Sequence, residues 1–494
     1  MRPTTTPFRD LFGIDTRSLA VFRVALAAAV VADLLLRAPD LAALYTEEGV
    51  LPRALLDEQV RARAPALVPI LALVPHLLLD GAAAQALLFA VAGAVAVLLA
   101  AGWRTRWVTV ASWVLMMSLQ ARNPAVRNGG DEILRLLLFW AMFLPLGAIW
   151  SADARRAGRP AAPRLVTGGA PAALLLQVVL IYPFNALYKD GAAWTTDFTA
   201  LELFLGNVTW GGAWGTALLA YPGLLQAMTA GVLGLERFGW LLAFCPVRHG
   251  PARTLAVLLF AGFHGGILVL SRIDLFAAVG IVAWTAFLPA WFWTQAAAAA
   301  GRREPGDAAP ARQPVPRWEG AAALALIGYV GFLNVTGYAG LFGRPVPTVL
   351  QAPALVLQID QQWNMFSPEP SRWSRFLVAR GETAAGRSVD LLAGGEPRDG
   401  TAGMNPPAGP FGRDRWRAYF NYLRRQPDDA RDRLGGGLAA YLGRQWNAAH
   451  HGDDRLERVR LFQVNRPIVL AGDPEPNGRR IRVRELLAVD VATP

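Results

Sequence analysis

The chain has 494 residues, of which 54% are hydrophobic and only 17% are charged, and its formal net charge is +11. In soluble domains about a quarter of the residues are charged, so this composition argues against an ordinary soluble protein. Positively charged loops orient membrane proteins, and this explains the basic excess better than nucleic-acid binding does.

The apolar residues are grouped in long runs between Ser18 and Leu341, whereas residues 344–494 are rich in Arg, Asp, Pro and Gly. A helix needs about 20 apolar residues to cross a bilayer. We therefore predict an all-α polytopic membrane domain over residues 1–343 and a small soluble α+β domain over residues 344–494. About nine transmembrane helices are expected, at 18–37, 82–102, 106–121, 133–150, 170–190, 214–246, 254–271, 274–298 and 318–341.

Two apolar runs have features that do not fit a simple span. The run 65–80 contains three prolines, and we predict a short interfacial helix there. The run 214–246 is too long for one straight span, and Pro222, Gly231, Gly234 and Arg237 predict a broken helix or a span plus an interfacial piece.

The distribution of arginine predicts the orientation of the spans. With the N-terminus inside, the loops on the cytoplasmic side hold 15 basic residues and those on the outer side hold 6. Cytoplasmic loops of membrane proteins are enriched in Lys and Arg. The sequence therefore predicts a protein of the bacterial cytoplasmic membrane with a cytoplasmic N-terminus and an extracytoplasmic C-terminal domain.

The pattern of the C-terminal segment changes from apolar runs to short alternating and helical stretches. Residues 374–392 alternate around the sequence AAGR, as a hairpin does. Helical periodicity follows at 413–425 and 430–449, and strand-like stretches at 456–471 and 480–492.

Lys189 is the single lysine among 48 basic residues, and it ends the predicted span 170–190. A GC-rich genome replaces lysine by arginine wherever either cation serves. A buried lysine, unlike an arginine, loses its proton near neutral pH, and it therefore serves as a general base. Snorkelling of a cation towards the headgroups is the structural alternative, but arginine serves that purpose equally well.

Three further polar residues are candidates for a site. His264 lies within the span 254–271 and is followed by two glycines, so another helix or a flat ligand can approach it; a helix–helix hydrogen bond is the alternative role. Asn128 and Asp131 lie just before the predicted span 133–150, where they can cap a helix or point into an outward-facing cavity. No His, Cys, Asp or Glu spacing typical of a metal site is present.

Several fragments of the chain together resemble the horizontally transferred transmembrane domain family, which includes the vitamin K-dependent gamma-glutamyl carboxylase. They are FRVALAAAVVADLLLR, YTEEGVLPR, NGGDEILRLLLFWAMFLPLG, Tyr182 with Lys189 and Trp194, Phe263 with His264, Ile273 with Phe276, and WNMFSPEP. The resemblance covers most of residues 10–300 and the segment from Trp363 to Pro370.

The resemblance implies a chemistry for Lys189, because Tyr182 lies seven residues before it and Trp194 five residues after it, as around the family's catalytic lysine. Lys189 would deprotonate reduced vitamin K or another quinol, and O2 would convert the quinol to an epoxide. The strongly basic alkoxide formed during this oxidation would remove a glutamate γ-proton, and the resulting carbanion would take up CO2. By the same resemblance His264 matches a family histidine and is a second catalytic candidate. We expect Lys189 and His264 to line one cavity, closed to the cytoplasm.

The chain departs from the carboxylase pattern in three places. The family's Asn-Asn-His run is Asn-Gly-Gly here, so the histidine associated with carboxylation is missing; the residues are Asn128, Gly129 and Gly130. Asp274 stands where the later family motif has glycine. The animal enzyme's large substrate-binding part has no counterpart of comparable size in 344–494. Quinol epoxidation is therefore better supported than glutamate carboxylation.

Three functions remain open from the sequence. The first is a carboxylase-like enzyme of the lyase or monooxygenase type that uses a lipophilic quinone and acts on a secreted peptide or protein. The second is a non-catalytic accessory protein for maturation, export or immunity of a secreted peptide. The third, a small-molecule transporter, is less favoured because paired broken helices and inverted halves are not apparent. The bilayer is a partner in each case, and nucleic acid in none.

Overall fold

The computed structural model describes residues 6–63, 74–158, 164–302, 311–314, 316–337, 346–395, 403–471 and 480–491. The predicted domain boundary at 343/344 and most of the run 65–80 lie outside these residues. The part of that run that is described contains the short helix Pro75–Leu78.

Within the described ranges, five helices are long and apolar enough to cross a membrane, and two bent pairs raise this number to seven if each pair is one span. The predicted count of nine spans stays a prediction. The five helices are Thr16–Tyr45, Ala82–Ala101, Gly169–Leu187, His249–Leu270 and Arg317–Gly337.

The two bent pairs break at prolines. Ala213–Ala220 and Pro222–Phe244 meet at 116°, which confirms that the run 214–246 is not one straight helix. Leu275–Thr285 and Ala290–Ala299 meet at 91° in the run 274–298, for which a single span was expected. Pro289 precedes the second helix of that pair. Proline restricts the residue before it to extended conformations, so the helix cannot continue through this point.

Two further predicted spans form helices that are shorter or more buried. The run 106–121 is the helix Thr105–Arg122. The run 133–150 is the helix Gly129–Ala141, which has 13 residues and is almost entirely buried. A helix of this length extends about 20 Å, less than the ~30 Å hydrocarbon core of a bilayer. Residues 142–150, which complete the predicted span, follow it without forming a helix, and the burial of the helix places it among the other helices of the bundle.

A small three-stranded sheet joins three segments that are distant in sequence. Ile14–Asp15 pairs antiparallel with Arg164–Thr167, which pairs in parallel with Ala311–Pro314. These strands belong to the segments 1–17, 151–169 and 299–317, all of which the arginine distribution assigned to one side of the membrane. The sheet shows that the three segments lie on the same face of the bundle.

The C-terminal region has the predicted α+β architecture. A four-stranded antiparallel sheet has the strand order Ser388–Asp390, Trp373–Thr383, Leu456–Pro467, Arg482–Asp490. The hairpin at 374–392 is thereby confirmed. The helices Asp414–Arg424 and Asp428–Ala449 lie close to the two predicted helical stretches. The remaining helices of four or more residues are Phe8–Leu11, Leu41–Tyr45, Arg53–Arg63, Ala152–Arg156, Ala192–Thr195, Ala200–Leu205 and Thr348–Leu357.

The C-terminal region packs directly on the loop that follows the first long helix. The Tyr422 hydroxyl donates to the Gln59 side chain at 3.0 Å, and the Arg444 guanidinium donates to the Glu48 carbonyl at 2.8 Å. Gly437 approaches so closely that an added Cβ would lie 2.8 Å from the Val50 carbonyl oxygen. These contacts place the loop and the C-terminal region on the same side of the bundle.

Candidate functional site

A cavity of about 850 Å³ lies between the bundle and the C-terminal region. Its size falls in the range of sites for drug-sized ligands. Bundle residues supply an apolar part of its lining, among them Ile181, Phe263, Ile267 and Phe276. The C-terminal region supplies polar and basic side chains.

Lys189 lines this cavity and is almost completely buried, with 3% of its surface exposed. It lies just beyond the end of the helix Gly169–Leu187. Its Nζ lies 2.6 Å from a carboxylate oxygen of Glu236 and 4.2 Å from the centre of the Trp194 ring. A cation at that distance from an indole face is stabilised by the ring quadrupole. Lys189 therefore points into the protein, and the snorkelling alternative does not apply.

The proton on Lys189 is subject to two opposing influences. Burial is the larger and lowers the pKa of Lys189, whereas the ion pair and hydrogen bond with Glu236 act against it. Asn185 also donates to Glu236, at 2.9 Å. The amine and the carboxylate are 2.6 Å apart, so Glu236 fixes the position of the Lys189 amine.

Tyr182 connects the cavity to His264. The Tyr182 ring lines the cavity, and its hydroxyl lies 2.9 Å from His264 Nε2 and accepts a hydrogen bond from the Trp284 indole at 2.6 Å. His264 is 1% exposed and is not among the lining residues. The expectation that Lys189 and His264 both line the cavity is therefore met by Lys189 only. His264 contacts a lining residue instead, and it holds the hydroxyl of Tyr182.

The position of the His264 ring depends on the small size of Gly280. A Cβ at that position would lie within 2.3 Å of the imidazole. Any larger residue there would displace the ring and break its contact with Tyr182.

Asn128 has both of the roles considered from the sequence. Its side-chain oxygen accepts hydrogen bonds from the backbone N–H groups of Gly130 and Asp131, which caps the helix Gly129–Ala141. Its amide donates to Asp414 of the C-terminal region, and the residue also lines the cavity.

Asp131 does not point into the cavity, which corrects that expectation. Its carboxylate completes the cap of the same helix and forms ion pairs with Arg37 and Arg415. Asp33 pairs with the same two arginines. All four side chains are at most 3% exposed. A buried carboxylate requires such partners, since an isolated buried charge costs several kcal/mol. We refer to Asp33, Arg37, Asp131 and Arg415 as the interface ion cluster.

The segment 363–370 lies along the cavity and is fastened to Trp194 and its surroundings. The Trp194 indole donates to the Phe366 carbonyl at 3.0 Å, and the Gly191 N–H donates to the Pro368 carbonyl at 3.2 Å. Met365 and Phe366 contribute lining surface. The fragment WNMFSPEP is thus brought next to Lys189, although about 175 residues separate them in sequence.

Several residues of the site were not anticipated from the sequence. Glu236 is an acid within the apolar run 214–246, which is by itself a signal of a functional or paired residue. Asn185 lies one helical turn before Lys189 and has no comparable signal. Within the described residues, no group of three or more His, Cys, Asp or Glu side chains is arranged to hold a metal ion. The side chain of Asp274 is outside the described part of the structure.

Comparisons with protein-family models, with curated proteins and with solved structures find no match for this chain. The resemblance to the carboxylase family thus depends on the residues and spacings given above.

Proposed function

We propose that this protein is a membrane enzyme that binds a quinol or a similar lipophilic substrate in the cavity and uses Lys189 as the base that starts its oxidation. The observation that carries the proposal is the arrangement of Lys189. It is the only lysine of the chain, it is buried, and it lines a cavity together with Tyr182 and Trp194.

The surroundings of Lys189 support a role as a base. The apolar lining suits a lipophilic ring system and keeps bulk water away from the amine. Glu236 and Asn185 fix the position of the amine, and the neutral form of the Lys189 amine can take a proton from an acidic hydroxyl in the cavity. A quinol would supply the reducing electrons and O2 the oxidant. The role of the protein is to orient the ring of the quinol, to accept its proton and to exclude water.

The region around Gly130 supports epoxidation without carboxylation. A Cβ at Gly130 would lie 2.7 Å from the backbone nitrogen of Phe276, so this position has no room for a side chain such as histidine. The position therefore has no side chain that could take over the role of the histidine in glutamate carboxylation.

The purified protein is expected to oxidise a reduced naphthoquinone to its epoxide while adding little or no CO2 to glutamate peptides. The epoxide is measured by chromatography and mass spectrometry, and CO2 addition by incorporation of labelled bicarbonate. Robust carboxylation would contradict the distinction based on Gly130. Asn128→Ala should reduce the oxidation less than Lys189→Ala does, because a buried hydrogen-bonding residue contributes about 1–3 kcal/mol.

Replacing Glu236 with glutamine should move the rising limb of the pH–rate profile to lower pH. The carboxylate acts against the lowering of the Lys189 pKa by burial. Without it the pKa of Lys189 falls further, and the amine is free of its proton at lower pH. A pH–rate profile of wild type and Glu236→Gln measures the displacement. A shift to higher pH would contradict Lys189 as the base.

The proposal includes nine spans with the C-terminal region outside the cytoplasm. The 15-to-6 distribution of basic residues supports this orientation. A periplasmic reporter fused at the C-terminus should be active and a cytoplasmic reporter inactive. The reverse pattern would refute the orientation.

The accessory function is the second candidate, and the Lys189–Glu236 ion pair favours it. A lysine held at 2.6 Å by a buried carboxylate also stabilises the packing of two helices without any chemistry. An accessory protein should tolerate arginine at position 189, whereas the enzyme should not.

A further inference from the structure

Four arginines line the side of the cavity that faces the C-terminal region. Arg127 comes from the loop before the helix Gly129–Ala141, and Arg375, Arg424 and Arg425 come from the C-terminal region. Arg375 and Arg425 are exposed, so this wall of the cavity reaches solvent. We call these four residues the arginine rim.

The arginine rim forms no ion pair in the part of the chain that the structure describes, although Arg127 is close enough to Glu132 to attract its carboxylate. Neither Arg127, Arg375, Arg424 nor Arg425 forms an ion pair there, in contrast to arginines such as Arg415.

The three acids that line the cavity are engaged elsewhere. Glu236 pairs with Lys189, and Asp414 with Arg417 at 2.7 Å. Glu369 accepts the backbone N–H of Ala193 at 3.2 Å. None of these contacts is made to the rim, so no acid of the cavity lining forms an ion pair with its arginines in the described residues.

Arg424 shows the electrostatic consequence of this arrangement. Burial lowers its pKa to about 10, and repulsion by Arg375 and Arg425 contributes in the same direction. The Asn421 side chain, at 3.1 Å, is its one polar contact among the described groups. An anion placed between these guanidinium groups would relieve the repulsion and accept several charge-assisted hydrogen bonds.

The bundle contributes apolar side chains to the same cavity, among them Ile181, Phe263 and Phe276. A ligand that fills the cavity must therefore suit both the apolar lining and the arginine rim. We propose that the ligand is an anionic amphiphile, whose apolar part lies against the bundle and whose carboxylate or phosphate group lies against the arginine rim. This inference builds on the proposed function, because it names the charge of the lipophilic substrate.

Calorimetric titrations of the full-length protein in lipid nanodiscs test the inference, with empty nanodiscs correcting for partitioning. The first pair of probes is a naphthoquinone with a short alkyl chain ending in a carboxylate, and its methyl ester. The second pair is dodecanoate and dodecanol. We expect each carboxylate to bind at least about tenfold more tightly than its neutral counterpart at low salt, a difference of ~1.4 kcal/mol.

The double variant Arg424→Gln/Arg425→Gln should lose most of this preference. The matched control is Arg458→Gln/Arg460→Gln, which removes the same charge from residues that pair with Glu382 and do not line the cavity. The control should bind like wild type. If the test variant fails to fold, the preference of wild type is measured at increasing salt. It should decrease, because ions screen contacts at a solvent-facing rim.

The outcomes separate this inference from the proposed function. A preference for both carboxylates over their neutral counterparts supports the arginine rim and the quinone substrate. Preference for dodecanoate, with no binding of either quinone, supports the arginine rim and refutes the quinone substrate. Equal binding of the carboxylate and ester quinones refutes the role of the rim and leaves the quinone substrate standing. Binding of an acidic peptide alone, through the same arginines, would overturn the amphiphile. No binding of any probe, or a preference that salt leaves unchanged, would also overturn the inference.

Discussion

Lys189→Ala is expected to abolish oxidation of a reduced naphthoquinone, with a loss of about 10²- to 10⁴-fold, the usual contribution of a positioned general base. Lys189→Arg should be equally inactive, because arginine does not release its proton at accessible pH. A small primary amine added to Lys189→Ala should restore part of the activity by occupying the vacated position beside Glu236 and Trp194. Epoxide formation per enzyme is the measurement.

Asp190→Asn is the matched control for these variants. Asp190 is the next residue in the chain, is exposed, and does not line the cavity. It should retain the activity of wild type. Full epoxidation activity of Lys189→Arg would refute Lys189 as the base. Full biological function in that variant, together with no epoxide from any quinol tried, would discard the enzyme and leave the accessory protein.

Arg415→Met is expected to destabilise the protein by about 3–5 kcal/mol, because it leaves an uncompensated charge within a buried ion cluster. Arg415 bonds to Asp33 at 2.5 Å and also to Asp131 and the Val126 carbonyl. Without it, Arg37 alone faces two buried carboxylates. The free energy of unfolding in detergent measures the loss, and proteolysis should release the C-terminal region more readily.

Arg413→Ala is the control for this prediction. Arg413 lies two residues earlier, and its ion pair with Asp40 is partly exposed, so it should contribute about 0–1 kcal/mol. Adding Asp33→Asn to Arg415→Met restores neutrality of the cluster and should recover part of the stability. Equal effects of Arg413→Ala and Arg415→Met would show that the interface ion cluster does not hold the two regions together.

The elements of the fold could be predicted well where a periodic pattern is long. The apolar runs at 82–102, 170–190 and 318–341 correspond to long helices, and the alternating stretches after 374 correspond to strands. Prediction was poorer at 133–150, since apolar residues are equally compatible with lipid and with a protein interior. Only the packing partners of Gly129–Ala141 distinguish these environments.

The sequence by itself determined that this chain has many apolar helices and that Lys189 is exceptional. Both follow from composition, because the need for about 20 apolar residues per span and the difference between lysine and arginine are local properties. The tertiary structure decided which groups meet.

In the tertiary structure Lys189 pairs with Glu236, and Asp131 belongs to the interface ion cluster. Tyr182 lies between His264 and the cavity. These pairings join residues 47 to 284 positions apart. A buried charge takes whichever opposite charge folding brings within about 3 Å, and no spacing along the chain specifies that partner.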